Sequence, residues 1–148
     1  MIYLLDINVL IALCDPAHPH ALAARHFFQS TLSAEGWATC PLVENGFLQI
    51  FGDHRYPGGP GNPQSARLIL DGLLASAGHQ FWPDDLSLAD RSVFPTLPPS
   101  PNLIDLYLLG LAIKHGARFA TFDHSINATL LPGGPSAYFP IPSPNPMA

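Results

Sequence analysis

The chain has 148 residues, of which 47% are hydrophobic and only 11% charged, and its net charge is −5. That length suits a single domain able to hide roughly 70% of the surface its unfolded chain exposes. The acidic balance excludes a basic coat for nucleic acid, and so sparse a charge supply points to a surface that a partner partly covers.

Met1 is followed by the apolar run Ile2–Leu5, cut short by Asp6 with no basic residue ahead of it, so no secretory signal is expected. That run reads as a buried central strand. Asn8 is placed to cap a helix over Val9–Cys14, closed by Asp15 and Pro16. A second helix is expected from His20 to Leu32, ended by Gly36, and Trp37–Cys40 reads as a second strand. Pro41 suits the first turn of a third helix that carries Glu44 among Leu42, Val43, Phe47, Leu48 and Ile50.

Residues 52–63 (GDHRYPGGPGNP) read as a flexible loop, and Asn62 or Ser65 starts a helix through Leu74. His79–Trp82 is the expected third strand, with Trp82 assigned to the core. Ser92–Pro101 reads as proline-rich loop. Asn102 then caps a helix over Leu103–His115 in capping-box style, with Asp105 three residues after the cap and Gly116 just past the end. Arg118–Thr121 is a fourth strand, Ala137–Phe139 a last one, and about 142–148 a loose tail. Strands alternating with helices imply an α/β layered fold with a mostly parallel sheet of four to five strands, in which ligands bind beyond the carboxyl ends of the strands. Cys14 and Cys40 are read as buried free thiols. The longest apolar run, Leu106–Ile113, is too short to span a bilayer, and a cytosolic protein is expected.

The chemistry lies in the acids. Only two glutamates and nine aspartates are present. Asp6 and Asp123 directly follow predicted strands, whereas Glu44 and Asp105 sit on otherwise apolar helices, where an unpaired carboxylate is costly. Each alone has a plain role: Asp6 as a helix cap, Glu44 as a surface residue, Asp105 as a first-turn acid favoured by the helix dipole, Asp123 as a turn residue. Together they suggest one oxygen-rich site for Mg²⁺ or Mn²⁺, ions that lower the pKa of bound water and stabilise a leaving oxyanion.

Five segments in order carry a resemblance: Tyr3–Leu10, Cys40–Phe47, Phe81–Asp85, Asp105–Ala112 and Thr121–Asp123. Over nearly its whole length the chain resembles the PIN-domain nucleases, and among them the VapC toxins of type II toxin–antitoxin systems. The resemblance implies a single PIN-like α/β/α sandwich and a metal-dependent endoribonuclease that leaves a 5′-phosphate and a 3′-hydroxyl. It assigns Asp6, Glu44, Asp105 and Asp123 to the four acidic positions, with Asp6 and Asp105 as direct ligands. Glu44 acts directly or through water; Asp123 acts through water or by orienting Thr121. Asn8 matches a polar position that orders the site, and Thr121 a hydroxyl position beside the metal. The resemblance also implies a homodimer and a VapB-like antitoxin that silences the enzyme. Ile104 departs from the family, which often has a polar residue there.

Other chemistries fit less well. His18, His20 and His26 are the densest of seven histidines, but Pro19 and a loop context do not give fixed zinc geometry. No nucleophile elbow or phosphate loop is present. Phospho-aspartate enzymes need a lysine by the phosphoryl group, and the only lysine, Lys114, lies at the far end of the Asp105 helix. Candidate RNA contacts are Arg55 and Tyr56 in the glycine-rich loop, with Arg25, Arg91 and Arg118. A catalytically silent PIN module and a DNA-directed metal nuclease stand as alternatives.

Overall fold

The computed structural model describes residues 1–99 and 101–142. The expected loose tail falls almost wholly outside them. Five short strands form one sheet: β1 (Tyr3–Leu5), β2 (Trp37–Thr39), β3 (His79–Phe81), β4 (Arg118–Thr121) and β5 (Tyr138–Pro140). Their order is β3-β2-β1-β4-β5. Every pairing is parallel, so the sheet is wholly rather than mostly parallel.

The crossover helices are α1 (Ile7–Cys14), α2 (Ala21–Phe27), α3 (Ser33–Glu35), α4 (Pro41–Phe51), α5 (Pro63–Leu74), α6 (Leu103–Lys114) and α7 (Gly134–Ala137). A π turn over Phe28–Leu32 joins α2 to α3, so the helical path runs past the expected end at Leu32 and stops at Gly36, whose φ is +102°. Right-handed crossovers put α1 to α5 on one face of the sheet and α6 and α7 on the other. The packing agrees: α1 touches α2 and α4, α4 touches α5, and α6 touches α7. This is the expected three-layer sandwich.

The centre of the sheet is dry. Leu4, Leu5, Ala38, Phe119 and Ala120 are fully buried, and α6 is buried continuously from Leu106 to Ala112. A helix apolar all round needs cover on its outer side as well. The segment before it supplies that cover: Phe94 is buried and stacks on Tyr107, and Gly110 leaves the room its ring occupies. Trp82 belongs to the core as expected, stacked on His115 at 3.8 Å. Both cysteines are free; Cys40 is buried, whereas Cys14 is only half-buried. No helix among the described residues is long and apolar enough to cross a membrane.

Two expected helix caps are corrected. Asp6, not Asn8, caps α1: its carboxylate accepts from the Ile7 N–H at 2.7 Å, and the helix starts two residues earlier than expected. Asn102 precedes α6 but makes no side-chain capping bond. Asn62, by contrast, caps α5 through the Ser65 N–H. The Phe81–Asp85 segment has a structural task of its own. Asp84 accepts from the Leu42 N–H and so caps α4 from outside, and Asp85 pairs with Lys114 at 2.8 Å.

Candidate active site

The strand order reverses between β1 and β4: the chain leaves β1 toward β2 and leaves β4 toward β5. Such a reversal opens a crevice beyond the carboxyl ends of the two strands. Asp6 ends β1 and Thr121 ends β4, so both face that crevice edge.

Thr121 is the hub of the crevice. It is fully buried and donates its hydroxyl to Asp6 Oδ2 at 2.6 Å. Thr121 Oγ1 in turn accepts from the Asp123 N–H at 3.0 Å and from Asn8 Nδ2 at 3.4 Å. Asn8 also accepts from the Phe122 N–H, so it bridges α1 to the end of β4. Asp123 is shaped from the other side: Oδ1 accepts from the Ser125 N–H at 2.8 Å and its hydroxyl at 2.6 Å, and Tyr138 donates to the Asp123 carbonyl.

Asp105 enters from the first turn of α6. Burial, then the negative charges of Asp6 and Asp123, push its pKa up to about 7. Asp6 is also raised, chiefly by burial, against the opposing pull of the Thr121 hydroxyl and the Ile7 N–H. Asp123 goes the other way, because the Ser125 hydroxyl holds it below the usual carboxylate range. Asp6, Asp105 and Asp123 therefore share one electrostatic site. Asp6 and Asp105 also lie at helix N-termini, where the backbone dipole favours negative charge.

Glu44 stands apart. It lies in the first turn of α4 and accepts from the Thr39 hydroxyl at 2.6 Å. Its negative charge favours the protonated His79 ring, against burial, which lowers the pKa of that ring. Helix α4 approaches α1 closely at Gly46, where a Cβ would come within 2.3 Å of the Ile7 side chain. Among the described residues no three acidic, histidine or cysteine side chains already stand at the spacing of a metal cage. The donor set nonetheless suits a hard cation: it is all oxygen, and Asp105 shows the strain of three carboxylates sharing one place.

The expected RNA contacts fare unevenly. Arg55 is exposed but engages Asp53 through Nε at 3.0 Å and Nη2 at 2.9 Å. Tyr56 donates to Asp15 at 2.6 Å and packs edge-on against Phe51, so it ties its loop to the end of α1. Arg91 and Arg25 are exposed, and Arg118 is half-buried over the Phe139 ring. Sequence reasoning missed Ser125, Tyr138, Thr39 and His79. The Asp-x-Ser spacing at 123–125 and the lone hydroxyl in the Trp37–Cys40 strand were the available signals.

Comparison with known proteins bears on this geometry. The family model described as PIN domain matches residues 3–129. Ribonuclease VapC44 of Mycobacterium tuberculosis (strain CDC 1551 / Oshkosh) is 39% identical over 136 residues, spanning 88% of this chain and 92% of that protein. Ribonuclease VapC39 of the same strain is 38% identical over 128 residues, spanning 85% and 91%. The crystal structure of VapBC2 from Rickettsia felis bound to a DNA fragment from their promoter aligns with a TM-score of 0.55 over 83% of this chain and 89% of that one. At 15% identity it is a likeness of fold alone.

Proposed function

Since the chain belongs to the PIN-domain family, alongside the VapC ribonucleases, we propose that it is the toxin of a type II toxin–antitoxin pair and a Mg²⁺- or Mn²⁺-dependent endoribonuclease. The observation that carries this reading is the joint placement of Asp6, Asp105 and Asp123 at the reversal point of the sheet, where the first and last of them raise the proton affinity of the second. Asp6 and Asp105 would hold the ion, and Asp123 would act through water or by orienting Thr121. Glu44 joins from α4. A bound divalent ion supplies a water of lowered pKa and neutralises charge growing on the phosphodiester. Thr121 keeps Asp6 in one orientation, and Asn8 keeps Thr121 in place. Ser125 keeps Asp123 ionised.

The reading carries a VapB-like antitoxin, a homodimer and a cytoplasmic site of action. Its support is a surface that leaves Leu22 73%, Leu68 67% and Phe81 56% exposed on three different elements. RNA contacts remain with Arg91 and, where phosphate displaces Asp53, with Arg55.

The test is cleavage of structured RNA by purified protein with Mn²⁺, beside matched DNA. Cutting of RNA that stops with chelator and with Asp6→Asn or Asp105→Asn is expected. Inert wild-type protein that also binds no Mn²⁺ would sink the reading, and equal cutting of DNA would replace RNA as the substrate.

A further inference from the structure

A chain of polar groups, His79, Thr39 and Glu44, links β3 and β2 to α4. On β2, Trp37 and Thr39 point to the same face, two residues apart, and both are fully buried. The parallel register sets Trp37 beside His79 of β3. The His79 ring lies 4.7 Å from the Trp37 ring, and the indole is anchored by its Nε1–H on the Ala77 carbonyl at 2.9 Å. From that seat His79 Nε2 reaches Thr39 Oγ1 at 2.7 Å, and Thr39 Oγ1 donates to Glu44 Oε2 at 2.6 Å.

The direction of the chain follows from proton counting. A hydroxyl has one proton to give, and an ionised carboxylate can only accept. Thr39 gives its proton to Glu44, so it must accept from His79. His79 is thereby held with its proton on Nε2. The hydrogen bonds run one way, from His79 to Thr39 to Glu44.

Position 39 has no need of a hydroxyl for packing. Its neighbours Trp37, Ala38 and Cys40 are apolar and buried, and a buried hydroxyl is costly unless bonded. The bond it makes is to an acid of the proposed site. No hydrogen bond among the described residues engages Glu44 Oε1, so one oxygen of the carboxylate is fixed and the other left open.

We propose that Thr39 and His79 are positioning residues for Glu44, Thr39 by holding Oε2 directly and His79 by aligning the Thr39 hydroxyl. This rests on the metal-nuclease reading for its consequence, but the hydrogen-bond chain itself does not need a metal.

Two measurements test it. The first is the ¹⁵N spectrum of the His79 ring in metal-free protein, which is expected to show the Nε2–H form. A ring protonated on Nδ1 alone overturns the chain. The second is Mn²⁺ titration of folded variants. Thr39→Val keeps the shape and removes the hydroxyl; its Mn²⁺ affinity is expected to fall about 10–100-fold, the usual cost of losing such an outer partner. Thr39→Ser recovers most of that loss. His79→Phe keeps the contact with Trp37 yet weakens Mn²⁺, and His79→Gln, which returns one N–H, restores part of it. In RNA cleavage Thr39→Val lowers kcat and leaves KM unchanged.

A threonine that only fills the core would lower thermal stability and leave Mn²⁺ affinity untouched, and that result overturns the proposal. Wild-type protein that neither binds Mn²⁺ nor cuts RNA counts against the metal-nuclease reading, while the ring spectrum still decides the chain.

Discussion

Replacing Thr121 by valine keeps its shape and deletes the one hydroxyl on which Asp6, Asp123 and Asn8 converge. Asp6 is only 6% exposed, so water cannot readily replace the lost donor. A hydrogen bond to a charged group contributes about 1.5–3 kcal/mol, and most of that is forfeited when the carboxylate stays buried. The Asp123 N–H loses its acceptor too, but Asp123 is half-exposed and solvent makes good part of the loss. A net cost of about 2 kcal/mol corresponds, at roughly 2–4 °C per kcal/mol for a chain of this size, to a Tm lower by about 4–8 °C. The cost has a pH signature. Thr121 lowers the pKa of Asp6, so its removal raises that pKa further, and the penalty exists only while Asp6 is ionised. Thermal unfolding followed by circular dichroism from neutral to acid pH is expected to show the gap narrowing as pH falls. Thr121→Ser, which keeps the hydroxyl, should lie near wild type. A valine variant as stable as wild type at neutral pH, or a serine variant that falls as far as valine, would refute the reasoning.

Asp105 makes the metal-free protein pH-sensitive: its folded pKa is raised to about 7, so the stability it contributes is complete below about pH 4 and is lost as pH rises through about 7. Asp105→Asn should flatten the dependence of Tm on pH in that window, and the Tm gained from Mn²⁺ should be larger at pH 8 than at pH 5.5; an unchanged slope in the variant would refute this. Gly46→Ala places a Cβ within 2.3 Å of the Ile7 Cδ1 position and is expected to cost about 1–3 kcal/mol by overpacking. In an Ile7→Val background that methyl is gone and the nearest remaining contact is the γ carbon at 3.0 Å, so the same change should cost less, helped by the preference of about 1 kcal/mol for alanine over glycine in a helix; denaturant midpoints of the four proteins check the cycle.

Much of the fold was legible because each strand is a short apolar run ended by a residue with a task. Tyr3–Leu5 ends at Asp6 and Arg118–Thr121 ends near Asp123, and the structure puts both strands side by side at the centre of the sheet. The helix start at Asn8 was misjudged because both Asp6 and Asn8 are good capping residues. What decides between them is Thr121, 113 positions from Asn8, whose hydroxyl takes the Asn8 amide while the Asp6 carboxylate also caps Ile7. The tether of Tyr56 was hidden for the same kind of reason: its partner Asp15 is 41 positions away, and a loop rich in glycine and proline gives no hint of it. The candidate acids were found by pattern, but their unequal company was not. Glu44 belongs with Thr39 and His79, and only the β2–β3 register discloses that.

The bond from Thr121 to Asp6 spans 115 positions of the chain. A ribosome adding about 5–20 residues per second takes roughly 6–23 s between those two residues. Throughout that interval the nascent chain carries Asp6 but lacks the strand that orders it, and Asp105 is added only near the close. On the proposed reading, the acids of the site cannot converge before β4 has been made. The central strand is flanked on both sides only once β4 has been made.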